Sequence, residues 1–278
     1  MRWKHRPVLQ RPVLIAAFEG WNDAGDAAST AARHFRDRWD ADHFATIDPE
    51  VFHDFTSTRP HVRLRDGVTR EIVWPEARFY ATSTTGNTDA IVLVGTEPEL
   101  RWRTYCEQIV AVARQLDVSM LVTLGALLAE VPHSRPTSVI GTAADPDLIE
   151  RLGLRRSGYE GPTGIVGVLQ DACGKAGLAA ASLWAAVPAY VPGAPSPKGA
   201  LALVTRATEL LGVGVPTTDL EIASASYERQ VSEVVAGDED MTEYVRNLEH
   251  RFDHEDGFPT GDSLVEEVER FLRNHRPE

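Results

Sequence analysis

The residues best suited to chemistry gather in one short stretch, Glu19-Gly20-Trp21-Asn22-Asp23-Ala24-Gly25-Asp26, with three acids, an amide and an indole. A loop of this kind opening at the carboxyl end of a strand sits where α/β sheets place their ligands. Its spacing is neither GxGxxG nor GxxxxGK[ST], and an acidic loop repels phosphate unless a metal intervenes. A local reading stands beside the chemical one. Asp23 suits a helix N-cap, and Asp26 three residues later faces the positive end of a helix dipole. Gly20 and Gly25 serve a turn, whereas Glu19 and Trp21 are not preferred turn residues.

The flanking elements explain where that stretch lies. Pro12 to Phe18 is a short apolar run with the length and composition of a buried strand. From Ala24 the period changes, and Ala24, Ala27, Ala28, Ala31, Phe35 and Trp39 share one face of a helix whose small residues permit close approach to a sheet. Further strands are expected at 44–48, 78–82, 89–95, 118–124 and 183–191, and Asp66-Gly67 marks a type I′ hairpin. A helix is expected from Pro98 to Leu116, with Pro98 in its first turn. Gly125 to Glu130 should lead from a strand into irregular chain, Thr163 should cap a helix, and Pro197 should start another. Alternating strands and helices define an α/β fold with a mixed, mostly parallel central sheet flanked by helices. The hairpin at Asp66 is the expected source of the mixing.

If the strands are parallel neighbours, the loops that follow them converge on one edge, where pockets form. The candidate ligand-binding residues are therefore Glu19, Trp21, Asn22 and Asp23, Thr96 and Glu97, Gly125 and Thr163. The alternative, that these are caps and turns, is left open by the sequence.

Other constellations fall short of chemistry. Cys173 and His133 suggest a thiol–imidazole pair, but Cys173 lies inside a helical run, where a thiol packs as core. There is no GxSxG elbow. His250 and His254 share a helix face without a third ligand, and a solvated face is expected. No metal or cofactor is expected. Cys106 and Cys173 read as reduced thiols of a cytoplasmic protein.

From residue 217 onward the composition shifts. Two capping boxes, Thr218 with Glu221 and Ser263 with Glu266, introduce stripes of Leu220, Ala223, Tyr227, Val231 and Val234, then Met241, Val245, Leu248 and Phe252, then Leu264, Val268, Phe271 and Leu272. We expect an α/β core domain over 1–216 and an acidic helical extension over 217–278 packed on it. Much of the net charge of −13 lies there: positions 219–278 hold 17 acids against 6 arginines. That distribution argues against nucleic acid or an anionic membrane as partner. No apolar run approaches the roughly 18 residues of a membrane helix, and the basic start lacks the apolar segment of a signal peptide.

EGWNDAGDAAS after an apolar strand, GTEPELRWRTYCEQIV, LVTLGALLAEVPHSRPTSVIGTA and GPTGIVGVLQDACGKAGLAAASLWAAVPAYV together resemble the proteasome assembly chaperone two family in its actinobacterial form. The resemblance covers most of residues 12–215, and the C-terminal segment is similar to that of longer actinobacterial members. It implies a purine nucleoside phosphorylase/hydrolase-like fold and a homo-oligomer, since related folds form trimers or larger rings. It further implies a non-enzymatic assembly or interaction protein, with proteasome subunits or another protein as partner. Family members that dock on the proteasome end in a hydrophobic–tyrosine–any-residue tail. The sequence ends Asn274-His275-Arg276-Pro277-Glu278, so docking by that route is not expected. Some bacterial relatives carry a predicted ATP-dependent carboxylate–amine ligase label. The alternative function is accordingly a small-molecule-binding enzyme, a ligase or hydrolase, using the Glu19–Asp26 loop.

Overall fold

The structure, a computed structural model, describes residues 1–83 and 89–254. Its strands are β1 (Arg2–Trp3), β2 (Val13–Glu19), β3 (Asp42–Ile47), β4 (His61–Arg65), β5 (Thr69–Val73), β6 (Ala77–Thr82), β7 (Ala90–Thr96), β8 (Met120–Ala129), β9 (Val139–Ala143) and β10 (Ala180–Pro188). The helices are α1 (Ala27–Arg38), α2 (Trp102–Gln115), α3 (Pro146–Leu152), α4 (Ile165–Lys175), α5 (Pro197–Leu211), α6 (Thr218–Ala236) and α7 (Glu239–His254). Eight strands form one mixed sheet in the order β1-β3-β6-β7-β2-β8-β10-β9. The centre, β7-β2-β8-β10, is parallel throughout.

Val13 to Phe18 are all buried because β2 is paired on both sides and covered on both faces. On one face Phe18 and Leu93 pack with Ile109 of α2 and Leu169 and Cys173 of α4. On the other Ile15, Val122 and Leu183 pack with Phe35 of α1 and Leu203 of α5. Alanines at 27, 28, 31 and 32 let α1 lie flat there, and a Cβ at Gly199 of α5 would stand only 3.0 Å from that of Ala27. Close packing of this kind holds the layers in a fixed register.

Four expectations are corrected. The helix expected from Pro98 begins at Trp102, because the N–H groups of Glu99 and Leu100 donate to the Phe52 carbonyl instead of entering a helix. The strand expected to end at Leu124, with Gly125 in the loop after it, runs on to Ala129: β10 pairs with β8 residue by residue up to Pro188 opposite Ala129, and this ladder keeps the chain extended. The Asp66-Gly67 hairpin forms, with φ of 53° and 73°, but as a separate sheet of β4 and β5. The mixing comes instead from β1, β6 and β9, which run antiparallel to their neighbours.

The α6 stripe is the fourth. Leu220, Ser224, Tyr227, Val231 and Val235 face inward, while Val234 is exposed. The cap lies at Thr217, whose hydroxyl donates to Glu221 at 2.7 Å. Polar side chains tie this part of the chain to the residues around β8. Lys198 Nζ donates to the His133 carbonyl at 2.5 Å and to Glu228 at 2.7 Å. The His133 ring bridges the hydroxyls of Tyr190 and Ser232 at 2.7 and 2.9 Å. Arg135 forks onto Asp253 at 2.6 and 2.7 Å. The Ser263 box and the stripe from Leu264 to Leu272 lie outside the described residues.

Two glycines separate packing from helix propensity. A Cβ at Gly125 would come within 2.6 Å of the Trp184 ring, whereas at Gly174 it would meet nothing within 4 Å. Gly125→Ala should lose about 1–3 kcal/mol to overpacking, and Gly174→Ala should gain about 0.5–1 kcal/mol from helix propensity. Urea unfolding of both variants measures the contrast.

Candidate functional site

The carboxyl ends of β2, β7 and β8 lie side by side, and the loop after β2 crosses them. Glu97 stands just past β7, its own N–H held by the Glu19 carbonyl at 2.8 Å. Its Oε1 accepts from the Asn22 side-chain amide at 3.0 Å and the Ile165 N–H at 2.8 Å, and its Oε2 accepts from the Trp21 N–H at 3.2 Å. Ile165 is the first residue of α4, so the carboxylate also meets the positive end of that helix. Gly164 makes the approach feasible, since a Cβ there would collide with the Asn22 amide. Gly20, with φ of 131°, turns the chain above the Glu97 Cβ.

Asp23 does for α1 what Glu97 does for α4. Its Oδ1 accepts from the N–H groups of Ala28 and Ser29 at 2.7 and 3.1 Å. A 3₁₀ turn at Ala24–Asp26, with Gly25 and Asp26 both at positive φ, brings the helix start back onto the carboxylate. The backbone of Asn22 is tied to β8 through the Ala126 N–H at 2.8 Å. Burial raises the pKa of both Asp23 and Glu97 above ordinary carboxyl values, against the hydrogen bonds that favour their ionised forms.

Glu19 pairs with Arg33 of α1 and lies 3.4 Å from the Thr96 hydroxyl. Trp21 leaves 46% of its surface in solvent. Glu19, Trp21, Asn22, Asp23, Thr96 and Glu97 are thus brought together. Gly125 is not in a loop at all, lying inside β8 under Trp184, although its neighbour Ala126 reaches Asn22. Thr163 is exposed and does not cap α4. Gly164 occupies the cap position, and the Glu97 carboxylate serves the first N–H from a distant part of the chain. Sequence reasoning missed Arg33, one of many arginines on a helical pattern, whose partner lies 14 residues away.

Cys173 and His133 do not meet. Cys173 is buried in the layer that also holds Cys106, and burial pushes both thiols up to about 12, keeping them protonated. His133 engages Tyr190 and Ser232. The exposed rings of His250 and His254 stack 3.9 Å apart. Among the described residues no group of three or more His, Cys, Asp or Glu side chains could hold a metal ion, and no helix is long and apolar enough to cross a membrane.

A three-layer α/β unit whose helix starts are held by carboxylates of neighbouring loops defines the structural class. The PAC2 family model matches residues 17–235. The chain belongs to the PAC2 family. A PAC2 family protein from Streptomyces avermitilis is 44% identical, with a TM-score of 0.78 over 84% of this chain and 99% of that one. A proteasome-assembly chaperone homologue from Mycobacterium tuberculosis is 45% identical, with a TM-score of 0.76 over the same shares of the two chains. A second M. tuberculosis protein, described as of unknown function, is 26% identical with a TM-score of 0.85, covering 97% of this chain and 93% of that one. The curated proteins give no match.

Removing the Glu97 carboxylate in Glu97→Ala leaves the Ile165 N–H and the Asn22 amide without their acceptor, and should cost about 2–3 kcal/mol in denaturant unfolding. The conservative Glu97→Gln isolates the titration. Because the folded-state pKa is raised, the folded protein holds this proton more tightly than the unfolded chain. The group's contribution is therefore greatest below its unfolded value of 4.5 and declines as pH rises from there through the folded value. The wild type's stability relative to Glu97→Gln should accordingly fall between acid and neutral pH. A rise would reverse the assignment.

Proposed function

We propose that this protein is a cytoplasmic, non-enzymatic assembly or interaction protein of the proteasome-assembly chaperone type, working as a homo-oligomer with proteasome subunits as clients. The observation that carries this reading is the use made of the loop after β2. Asn22, Asp23 and Glu97, the polar groups most suited to chemistry, are buried or half-buried and already bonded to backbone N–H and amide donors. A catalytic acid or base needs to reach a substrate proton, and these carboxylates instead fix the starts of two helices. Membership of the PAC2 family and the 45% identity to a proteasome-assembly chaperone homologue support the partner class.

A second reading is favoured by one observation, the 46% exposure of Trp21 two residues after Glu19, whose partly exposed carboxylate pairs with Arg33 and meets Thr96. An exposed indole can stack a planar ligand while a nearby ion pair orients it. On this reading Glu19, Trp21 and Thr96 bind a small molecule, and the residues beneath them hold the loop rigid.

Tagged protein purified from its own cells should retain 20S proteasome subunits through salt washes and lose them on competition with untagged protein. Their absence would remove the client assignment. Thermal shift with nucleosides, nucleotides, amino acids and divalent cations separates the two readings, because saturating a true site at a hundredfold excess over Kd adds about 2.7 kcal/mol. Flat melting curves are expected. A ligand whose shift disappears in Glu19→Gln and Trp21→Ala would establish the second reading.

A further inference from the structure

His133 sits where α6 meets the core, and its hydrogen bonds fix the proton on one ring nitrogen. The Ser232 hydroxyl donates to the Glu228 carbonyl at 2.8 Å, so its oxygen is left to accept from His133 Nε2 at 2.9 Å. Nε2 therefore carries the proton, and Nδ1 accepts from the Tyr190 hydroxyl at 2.7 Å. That same phenol oxygen accepts from the His133 backbone N–H at 2.8 Å. A second proton on the ring would have to sit on Nδ1, against the hydroxyl that donates to it. His133 is only 4% exposed, and the cavity it lines with Lys198 and Tyr227 measures about 10 Å³, room for one water. A charged imidazole would be poorly solvated here.

The charges that act on the ring come from three helices. Lys198 of α5, which donates to the His133 carbonyl, opposes a second positive charge, while Glu228 of α6 and Glu249 of α7 favour one. Burial and Lys198 outweigh the two glutamates and hold the ring below its ordinary pKa of 6.5. Burial also raises the Tyr190 hydroxyl, so it stays a donor.

The helices that meet this ring have a small apolar core of their own. α6 enters the main core at Leu220. Beyond it Tyr227, Val231 and Val235, with Val245 of α7, form a separate cluster with Tyr190 and Val191. Tyr190 is the joint, its ring meeting His133 and Tyr244 of α7 edge-on, each at 6.0 Å. Polar ties add to this hold: Arg135 to Asp253, Arg251 to Glu130 and Lys198 to Glu228. A unit with few buried apolar contacts opens at less cost than the core it lies on.

We propose that α7 and the second half of α6 form a strap pinned by neutral His133 and released by acid. Protonation at Nδ1 reverses the bond with Tyr190 and places a second cation near Lys198. The strap then lifts from the Leu220 end of α6 and uncovers Val131, Tyr190 and Lys198. Because the docked ring has a lower pKa than the freed one, the hold is full above pH 6.5 and declines as pH falls from there towards the docked value. Arg135 keeps Asp253 ionised across that window. The device is independent of the client and oligomer readings.

Hydrogen exchange of the α7 amides in the full chain, converted to an opening constant at each pH, tests this. Between about pH 7.5 and pH 5.5 the constant should rise severalfold, to a limit of about tenfold for a ring of ordinary pKa that charges only when the strap is open. His133→Gln, which keeps an N–H for Ser232 and does not titrate, should remove the rise. His250→Gln with His254→Gln, which removes the imidazoles of α7 itself, should leave it in place. An opening constant level with pH in the wild type, or a rise that survives in His133→Gln, would overturn the proposal. A rise lost in the α7 double variant would assign it to those rings and overturn it equally. Where His133→Gln undocks the strap at every pH, the imidazole resonances of the wild type decide. They should show the proton on Nε2 and a midpoint below 6.5 that moves up in Tyr190→Phe. A ring protonated on Nδ1, or one titrating at 6.5 or above, would contradict the pin.

Discussion

One carboxylate closes the carboxyl edge of the central parallel strands. Glu97 follows a central strand and gathers three N–H donors from two other parts of the chain: the Trp21 backbone, the Asn22 side chain and the first residue of α4. None of these segments is a sequence neighbour of the others, so the ion fixes the relative positions of β2, β7 and α4 in a way that no local propensity could. An anion at a helix start is favoured by the unpaired N–H groups and by the dipole, and partial exclusion of water strengthens each bond. Asp23 repeats the device at α1. Burial raises both pKa values, so the N–H donors offset only part of the desolvation cost of ionising these groups.

This arrangement bears directly on function. The same residue types that suggest acid–base chemistry in a sequence also make good anchors for helix starts, and geometry separates the two uses. Here the buried groups are anchors. What they leave at the surface is a half-exposed indole and a partly exposed ion pair.

Much of the fold was legible because its signals are local. The β2 run, the small-residue face of α1 and the Asp66-Gly67 turn each rest on a period or a backbone preference contained within a few residues. The features that were not legible depend on long-range partners. β8 extends past Gly125 only because β10 pairs with it to the end. The start of α2 is delayed by the carbonyl of Phe52, and the acceptor at α4 lies 68 residues upstream. On α6, Ser224 and Val235 face inward where Ala223 and Val234 were expected, since the helix turns the neighbouring row of side chains to the core. At the candidate site, the convergence of Glu19 to Asp23 with Thr96 and Glu97 follows once β2 and β7 are parallel neighbours, a condition the sequence leaves open and the sheet order meets. The direction of each hydrogen bond could not, because it depends on three separate segments meeting at one ion.

Amide hydrogen exchange at residue resolution tests most directly whether these carboxylates are anchors. The N–H groups of Ile165, Ala28 and Ser29 lie at helix starts, where amides without an internal partner exchange at nearly the rate of open chain. Protection of Ile165 approaching that of the β2 amides in the wild type, and lost in Glu97→Ala while Ala28 and Ser29 stay protected, is the predicted result. Fast exchange of Ile165, Ala28 and Ser29 in the wild type would show that the acids are free, and would return the loop after β2 to the chemistry its residue types suggest.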